Sequence, residues 1–219
     1  MINTVLVTAA TANEMECMDK VIAGRFENIA TTLISGIGPV STVYAVMNYL
    51  TSSGKPDLII NIGIAGSYTE NFPVGTVVIP VSDRFADLGM CDGDKFIPIS
   101  RADMNNIDDN YTPAGIFHAD KDIVRKLGPF LSPVKAVTVS TATGSAESRE
   151  KIRAEYNPDI ESMEGAAVYY VCNKQDIPCI GIRSISNMVG PRNKSLWDIE
   201  LALEQLEKAL VNYLHDMVI

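Results

Sequence analysis

The chain has 219 residues, 47% of them hydrophobic and 21% charged, with a net charge of −9. That composition is globular and long enough to bury a core. An acidic chain without a basic run excludes nucleic acid and an anionic membrane surface as partners. The four cysteines, Cys17, Cys91, Cys172 and Cys179, have no CxxC spacing, and His118 and His215 are the only histidines. No metal and no cofactor is expected from that set, and the thiols are expected to be reduced, as in the cytoplasm. No apolar run approaches the length of a membrane span.

In chain order, short β-branched runs alternate with amphipathic stretches. The opening Met1-Ile2-Asn3-Thr4-Val5-Leu6-Val7 lacks a basic start and is expected to be a first strand rather than a secretion signal. Strands are predicted over 2–8, 31–35, 58–61, 76–80, 135–140 and 179–184. Helices are predicted to begin at Asn13, Pro39, Asp120, Ser148, Glu164 and Leu196. The helix from Pro39 carries Val40, Val43, Tyr44, Met47 and Leu50 on one face, with proline in its first turn. The last helix lines up Leu196, Ile199, Leu203, Leu206, Leu210 and Leu214 in a stripe that reads as core. Residues 88–115 are dense in Asp, Gly and Pro and read as a long excursion or lid. No linker and no repeat interrupts the series. The expectation is one α/β domain over 1–219: three layers, α/β/α, with a mixed, largely parallel central sheet.

In such sheets ligands bind at the carboxyl ends of the strands. Three polar residues stand out there: Glu14 after the first strand, Glu164 at a helix start, and Asn187 after Gly181-Ile182-Arg183-Ser184-Ile185-Ser186. Two glycine-bearing segments accompany them, Ser35-Gly36-Ile37-Gly38 and Asn61-Ile62-Gly63-Ile64-Ala65-Gly66-Ser67. The first is not a dinucleotide fingerprint, because GxGxxG would need glycine at Ser41. The second runs on through Pro73-Val74-Gly75 into another strand, so it cannot offer phosphate a helix N-terminus. Tight turning and close approach to a small ligand both remain open for these glycines. A glutamate at a helix start either complements the dipole or serves as a base or hydroxyl acceptor. Arg183, at the end of an apolar strand, reads first as an ion-pair anchor.

Taken together, these segments resemble the nucleoside phosphorylase/nucleosidase superfamily over nearly the whole chain. The matching pieces are Glu14, Ser35-Gly36-Ile37-Gly38, Asn61 to Gly66, Val74-Gly75-Thr76, Met163-Glu164-Gly165-Ala166-Ala167 and Arg183-Ser184-Ile185-Ser186-Asn187. Nearest in pattern are the futalosine hydrolases of menaquinone synthesis and the methylthioadenosine/S-adenosylhomocysteine nucleosidases. The resemblance implies an enzyme that cleaves the N-glycosidic bond of a purine nucleoside. It implies that Glu14 activates water and that Met163 and Glu164 line the ribose. It places Asn187 beside the leaving purine, with Gly63, Ala65, Gly66, Arg183 and Ser186 among the substrate-binding positions. It also implies a homodimer or higher homo-oligomer.

Two departures from the adenine-releasing pattern are visible. The stretch Ser140-Thr141-Ala142-Thr143-Gly144-Ser145 lacks an aromatic, and asparagine stands at 187 where those enzymes carry aspartate. An amide offers both a donor and an acceptor and suits O6 and a protonated N7 of hypoxanthine. Asn187 followed by Pro191-Arg192-Asn193 and Trp197 resembles the futalosine hydrolases. Hydrolysis is favoured over phosphorolysis because neither Thr8–Asn13 nor Gly63–Ser67 contains an arginine to hold a phosphate. The expectation is hypoxanthine release from futalosine, then adenine release from methylthioadenosine or S-adenosylhomocysteine. A catalytically silent nucleoside binder is the reading of another class, and the presence of both Glu14 and Glu164 speaks against it.

Overall fold

The computed structural model describes residues 2–22, 26–93, 95–102, 115–191 and 193–218. The chain begins β1 (Val5–Ala9), α1 (Ala12–Ile22), β2 (Ala30–Ile34), α2 (Pro39–Ser53), β3 (Leu58–Ser67) and β4 (Val77–Asp83). A hairpin of β5 (Gly89–Asp92) and β6 (Lys95–Pro98) follows, then β7 (Phe117–His118), α3 (Lys121–Leu127) and β8 (Ser132–Thr138). The chain closes with α4 (Ala146–Tyr156), β9 (Ile160–Ser162), α5 (Gly165–Gln175), β10 (Cys179–Met188) and α6 (Ile199–Val218).

Strands β2, β1 and β3 are parallel neighbours, and β3 runs parallel to β10 on its other side. At its end β3 turns antiparallel to β9 through Gly66 and Ser67. Strands β9, β8 and β4 are parallel in turn, and β4 returns antiparallel to β10. The strands β3, β9, β8, β4 and β10 therefore close a ring, while β1 and β2 extend the sheet from β3. Irregular register between Ile185 and Asn187, and between Pro80 and Ser82, supplies bending that a flat ladder lacks. Ala65, Val78, Val134, Ala136, Ile160 and Ile185 form one buried cluster, drawn from all five ring strands. Helices α1 and α3 each pack on α6, and α2 packs on α5. The sheet is mixed and the class is α/β, as the sequence implies.

Local chemistry accounts for the element ends. Asp120 caps α3 by accepting from the amides of Asp122 and Ile123, and Ser145 caps α4 by accepting from the Ser148 amide. Strand β1 is buried at every position, as expected of a strand covered on both faces.

Several sequence expectations shift. Strands β3 and β10 run on to Ser67 and Met188, so the second glycine segment and Asn187 are strand rather than loop. The last helix starts at Ile199, and Leu196 is exposed in the 3-10 turn before it. Ile199 is exposed too, so the core stripe runs from Leu203 to Leu214. In α2 the buried residues are Thr42 and Val46, while Val40, Tyr44 and Met47 face outward. Periodicity marks a helix but not which of its stripes meets the core. The expected excursion contains the β5–β6 hairpin. Its residues 103–114, like Arg192, lie outside the described residues.

The ring is tied at its antiparallel corner by Tyr169 of α5, whose hydroxyl donates to the Pro80 carbonyl at 2.6 Å and accepts from the Gly181 amide at 2.8 Å. Tyr169→Phe should lower unfolding free energy by about 1–3 kcal/mol, since two buried backbone groups lose their partner. Urea unfolding checks this; an unchanged midpoint would mean the two groups find each other or water.

Candidate active site

Glu14 sits in the first turn of α1, behind the end of β1, and is only 8% exposed. Its Oε2 accepts from the Thr11 amide and hydroxyl at 3.0 and 2.9 Å, and its Oε1 accepts from the Ile64 amide at 3.1 Å. The carboxylate thus bridges the β1 turn and β3. Gly63 is what lets it in. A Cβ on Gly63 would lie 2.7 Å from Glu14 Oε1, so the close approach is to a carboxylate of the chain itself.

Glu164 is the residue before α5, yet its side chain makes no capping bond to that helix. Instead Oε1 accepts from the Gly38 amide at the start of α2, at 3.0 Å. Burial raises the Glu164 carboxyl above the ordinary glutamate range, and the nearby Glu14 raises it further. The Gly38 amide and the Arg183 guanidinium pull the other way. Two buried carboxyls within electrostatic reach, on different elements at one end of the sheet, form the centre of the site.

Arg183 is 2% exposed and stands opposite Gly63 across the β3–β10 ladder. Its guanidinium donates to the Asn61 carbonyl at 2.7 Å, to the Ile182 carbonyl and to Asn61 Oδ1. It is an anchor between β3 and β10 whose charge reaches Glu164. Asn61 also donates to Thr8 of β1, at 3.0 Å to the hydroxyl, so three strands are stitched together under the glutamates.

At the far edge of the site, β10 bulges at Ser186. Ile185 pairs with Ala65, but Asn187 pairs with Gly66. Ser186 Oγ donates to Asn187 Oδ1 at 2.8 Å and to the Ala65 carbonyl at 3.3 Å. Asn187 Nδ2 donates to the Met188 carbonyl and would lie 3.2 Å from a Cβ on Gly66. A Cβ on Gly66 would also lie 2.8 Å from Val189 Cγ2, so the glycine admits the close approach of Val189 and of the amide. Met163 packs on the apolar cluster of Tyr68, Ala86, Val137, Val139 and Val189.

The structure thus gathers Glu14, Gly63, Arg183 and Glu164 in one place and Ala65, Gly66, Ser186 and Asn187 in the adjoining one. It also brings in residues that sequence reading passed over. Asp83 ends β4 and is 1% exposed; its Oδ1 accepts from the Thr138 hydroxyl at 3.0 Å and from the Arg84 amide. Thr138 in turn accepts from the Ala166 amide at the start of α5. A lone acid closing an apolar strand was the available signal. Glu161, 7% exposed between Ile160 and Ser162, is the other.

The model of the Phosphorylase superfamily matches residues 8–218. The chain belongs to that superfamily. It is 30% identical over 184 residues to a futalosine hydrolase of Streptomyces coelicolor, covering 81% of this chain and 75% of that protein. It is 31% identical over 160 residues to a 5′-methylthioadenosine/S-adenosylhomocysteine nucleosidase of Shewanella sediminis, covering 70% and 66%. Among solved structures, the native futalosine hydrolase of Helicobacter pylori superimposes with a TM-score of 0.79 at 18% identity, covering 100% of this chain and 98% of that one. A 5′-methylthioadenosine/S-adenosylhomocysteine nucleosidase from Helicobacter pylori gives 0.81 at 18%, covering 99% of each chain. At those identities the superpositions speak for the fold.

Burial pushes Asp83 up to about 7, with Glu164 adding to the rise against the Thr138 bond, Arg183 and the Arg84 amide. A carboxyl raised on folding contributes stability below its unfolded value and loses it as pH climbs through the folded one. Asp83 therefore weakens the fold between about pH 4 and pH 7. Asp83→Asn should show a shallower fall in melting temperature across that window than the parent protein. Parallel curves would remove burial as the cause.

Proposed function

We propose that this chain hydrolyses the N-glycosidic bond of futalosine, releasing hypoxanthine, and works as one domain over residues 1–219. The coarser part of the reading, a purine nucleosidase, is common to the relatives of both kinds. The observation that carries it is the pair of buried carboxyls, Glu14 fixed by three donors and Glu164 held against Gly38.

The roles follow from chemistry. As the bond to the base loosens, the sugar takes on oxocarbenium character, and Glu14 takes a proton from the water that attacks it. Glu164 accepts from ribose hydroxyls beside Met163. Asn187 meets the departing base, with Ser186 setting its amide and Ala65 and Gly66 forming the strand beside it. Arg183 has guanidinium N–H bonds committed to Asn61 and supports the carboxylates rather than a phosphate. That favours water as the nucleophile.

Two observations favour futalosine. One is the Streptomyces coelicolor relative; the other is an amide at 187, able to donate to O6 of a 6-oxopurine. The Shewanella sediminis relative supports the second reading, adenine release from methylthioadenosine or S-adenosylhomocysteine. A cytoplasmic location fits the four free cysteines. Self-association as a homodimer or higher oligomer is supported by the exposed apolar run Ile34, Ile37, Val40, Tyr44 and Met47 at β2 and α2.

The decisive measurement incubates the protein with futalosine, methylthioadenosine and inosine, with and without inorganic phosphate. Hypoxanthine from futalosine, formed at the same rate in both conditions with a free sugar product, is expected. Ribose 1-phosphate chemistry or a phosphate requirement ends the hydrolase reading, and preference for methylthioadenosine ends the futalosine one.

Glu14→Gln should keep KM within a few-fold and lower kcat by about 10²-fold or more, because the side chain keeps its shape but loses its basicity. An active Glu14→Gln enzyme would exclude Glu14 as the base.

A further inference from the structure

Asp83 is a buried carboxyl that the mechanism above does not use, and it lies against the helix start that carries Glu164. It ends β4 at 1% exposure. Its Oδ1 accepts from the Arg84 amide at 2.7 Å and from the Thr138 hydroxyl at 3.0 Å. The same Thr138 oxygen accepts from the Ala166 amide at 2.8 Å, in the first turn of α5. Oδ2 is buried and has no hydrogen-bond partner among the described residues. It occupies the place where a side chain at position 165 would begin, and a Cβ on Gly165 would collide with it. Both carboxyl oxygens therefore meet the start of α5, one through Thr138 and one against Gly165. Glu164 is the residue immediately before.

The charges that face Asp83 come from several elements. Arg183 of β10 attracts it and Glu164 repels it. Burial, with Cys179 and Asp83 adding to it, keeps the Tyr169 phenol of α5 neutral. Arg84 turns its guanidinium over the Tyr156 ring, 5.2 Å from the ring centre. Strand β8 contributes the Thr138 hydroxyl, and β7 pairs apolar Phe117 with Asp83 and exposed His118 with Ser82. Glu14 of α1 adds a like charge on the Glu164 side. Burial, the largest of the influences on Asp83, raises it to about 7. Its charge therefore switches near neutral pH, beside a carboxylate held in place by the Gly38 amide. Arg183 is not free to swing across and cancel that charge, because its terminal nitrogens are bound to Asn61 and the Ile182 carbonyl.

We propose that Asp83 is a positioning residue acting through Glu164: it fixes the start of α5, and its negative charge makes Glu164 the stronger acceptor for the ribose hydroxyls. This rests on the functional reading above, which gives Glu164 the ribose. A carboxylate in a more negative field holds a proton more tightly, whether the proton is bound or shared in a hydrogen bond. Raising the pH through 7 adds that charge while the bonds that hold Glu164 and Arg183 stay as they are. Substrate affinity should therefore rise with pH, and through the ribose. A role confined to tethering α5 predicts no such bend, since the Thr138 bridge serves the helix start whether Asp83 is charged or neutral.

The test measures kcat and KM between about pH 6 and pH 8 for whichever of futalosine, methylthioadenosine and inosine releases base fastest. Its 2′-deoxy counterpart is measured alongside, as substrate or competing ligand. The wild type should gain about three- to tenfold in kcat/KM on the ribonucleoside across that range, mostly as a fall in KM, because one pKa unit of coupling between two groups is a factor of ten. The 2′-deoxy compound, lacking one hydroxyl, should gain less. Asp83→Asn, folded by circular dichroism, should keep the low-pH value throughout. Thr138→Val removes a donor that favours the ionised acid, so its bend should move to higher pH. No base release from any of the three nucleosides ends the functional reading and this inference with it. Base release with an Asp83→Asn profile that still rises as in the wild type, or with equal gains on the two compounds, ends only the role of Asp83. A bend that Thr138→Val leaves in place does the same, and it decides the matter should Asp83→Asn not fold.

Discussion

A guanidinium at 2% exposure needs acceptors, and the bonds that the two terminal nitrogens of Arg183 make govern the rest of the site. It is bound to Asn61, which is bound to Thr8, so β10, β3 and β1 are locked in register. The positive charge stays fixed within reach of Glu164 and Asp83. Glu14, Asp83 and Glu164 are all at most 9% exposed, an arrangement that would repel itself without a cation inside it. Removing Arg183 would leave carboxyls that neutralise or move apart. The anchor is a condition for the catalytic pair, although it touches no reacting atom in the proposed mechanism.

Closing five strands into a ring has a second consequence. A strand that must pair with β3 on one side and β4 on the other bends, and β10 does so through the bulge at Ser186. The bulge moves Asn187 out of step by one residue, so it pairs with Gly66 instead of following Ile185 onto the core face. One residue of register separates an amide facing the ring core from an amide on the opposite face of the strand. Ser186, the residue left without a ladder partner, bonds the Asn187 amide and the Ala65 carbonyl. The bulge thus both turns the amide and braces it.

Much of this was legible in the sequence. The apolar runs of β1, β3 and β10 and the order of motifs gave the architecture, and Glu14, Glu164 and Asn187 were marked as polar residues at strand ends. The reason for the glycines was not legible. Gly63 and Gly66 were expected in a loop, with turning or close approach to a ligand both open; they lie in β3, and what comes close to them is the chain's own Glu14, Val189 and Asn187. Asp83 and Glu161 were missed because their partners are 55 and 93 or 18 residues away in the chain, at Thr138, Tyr68 and Thr143. Nothing local marks such a pair. The outward face of α2 was misjudged for a similar reason, since a helix with apolar residues on more than one stripe does not declare which one the sheet will cover.

Glu164 shows how a broken local rule identifies function. A residue at a helix start ordinarily spends its side chain on that helix, and for a glutamate that is the plain alternative to a functional role. Here the first turn of α5 is served by others: the Gly165 amide donates to Ser162 Oγ and the Ala166 amide to Thr138 Oγ1. With its own helix provided for, Glu164 reaches across to the Gly38 amide. That places its carboxylate at the N-terminus of α2 and within the field of Arg183 and Glu14, largely desolvated. A group used only to stabilise α5 would gain nothing from that position and would carry the cost of burial. The cost is understandable if the carboxylate is kept for a ligand that brings its own hydroxyl donors, which is what a ribose does.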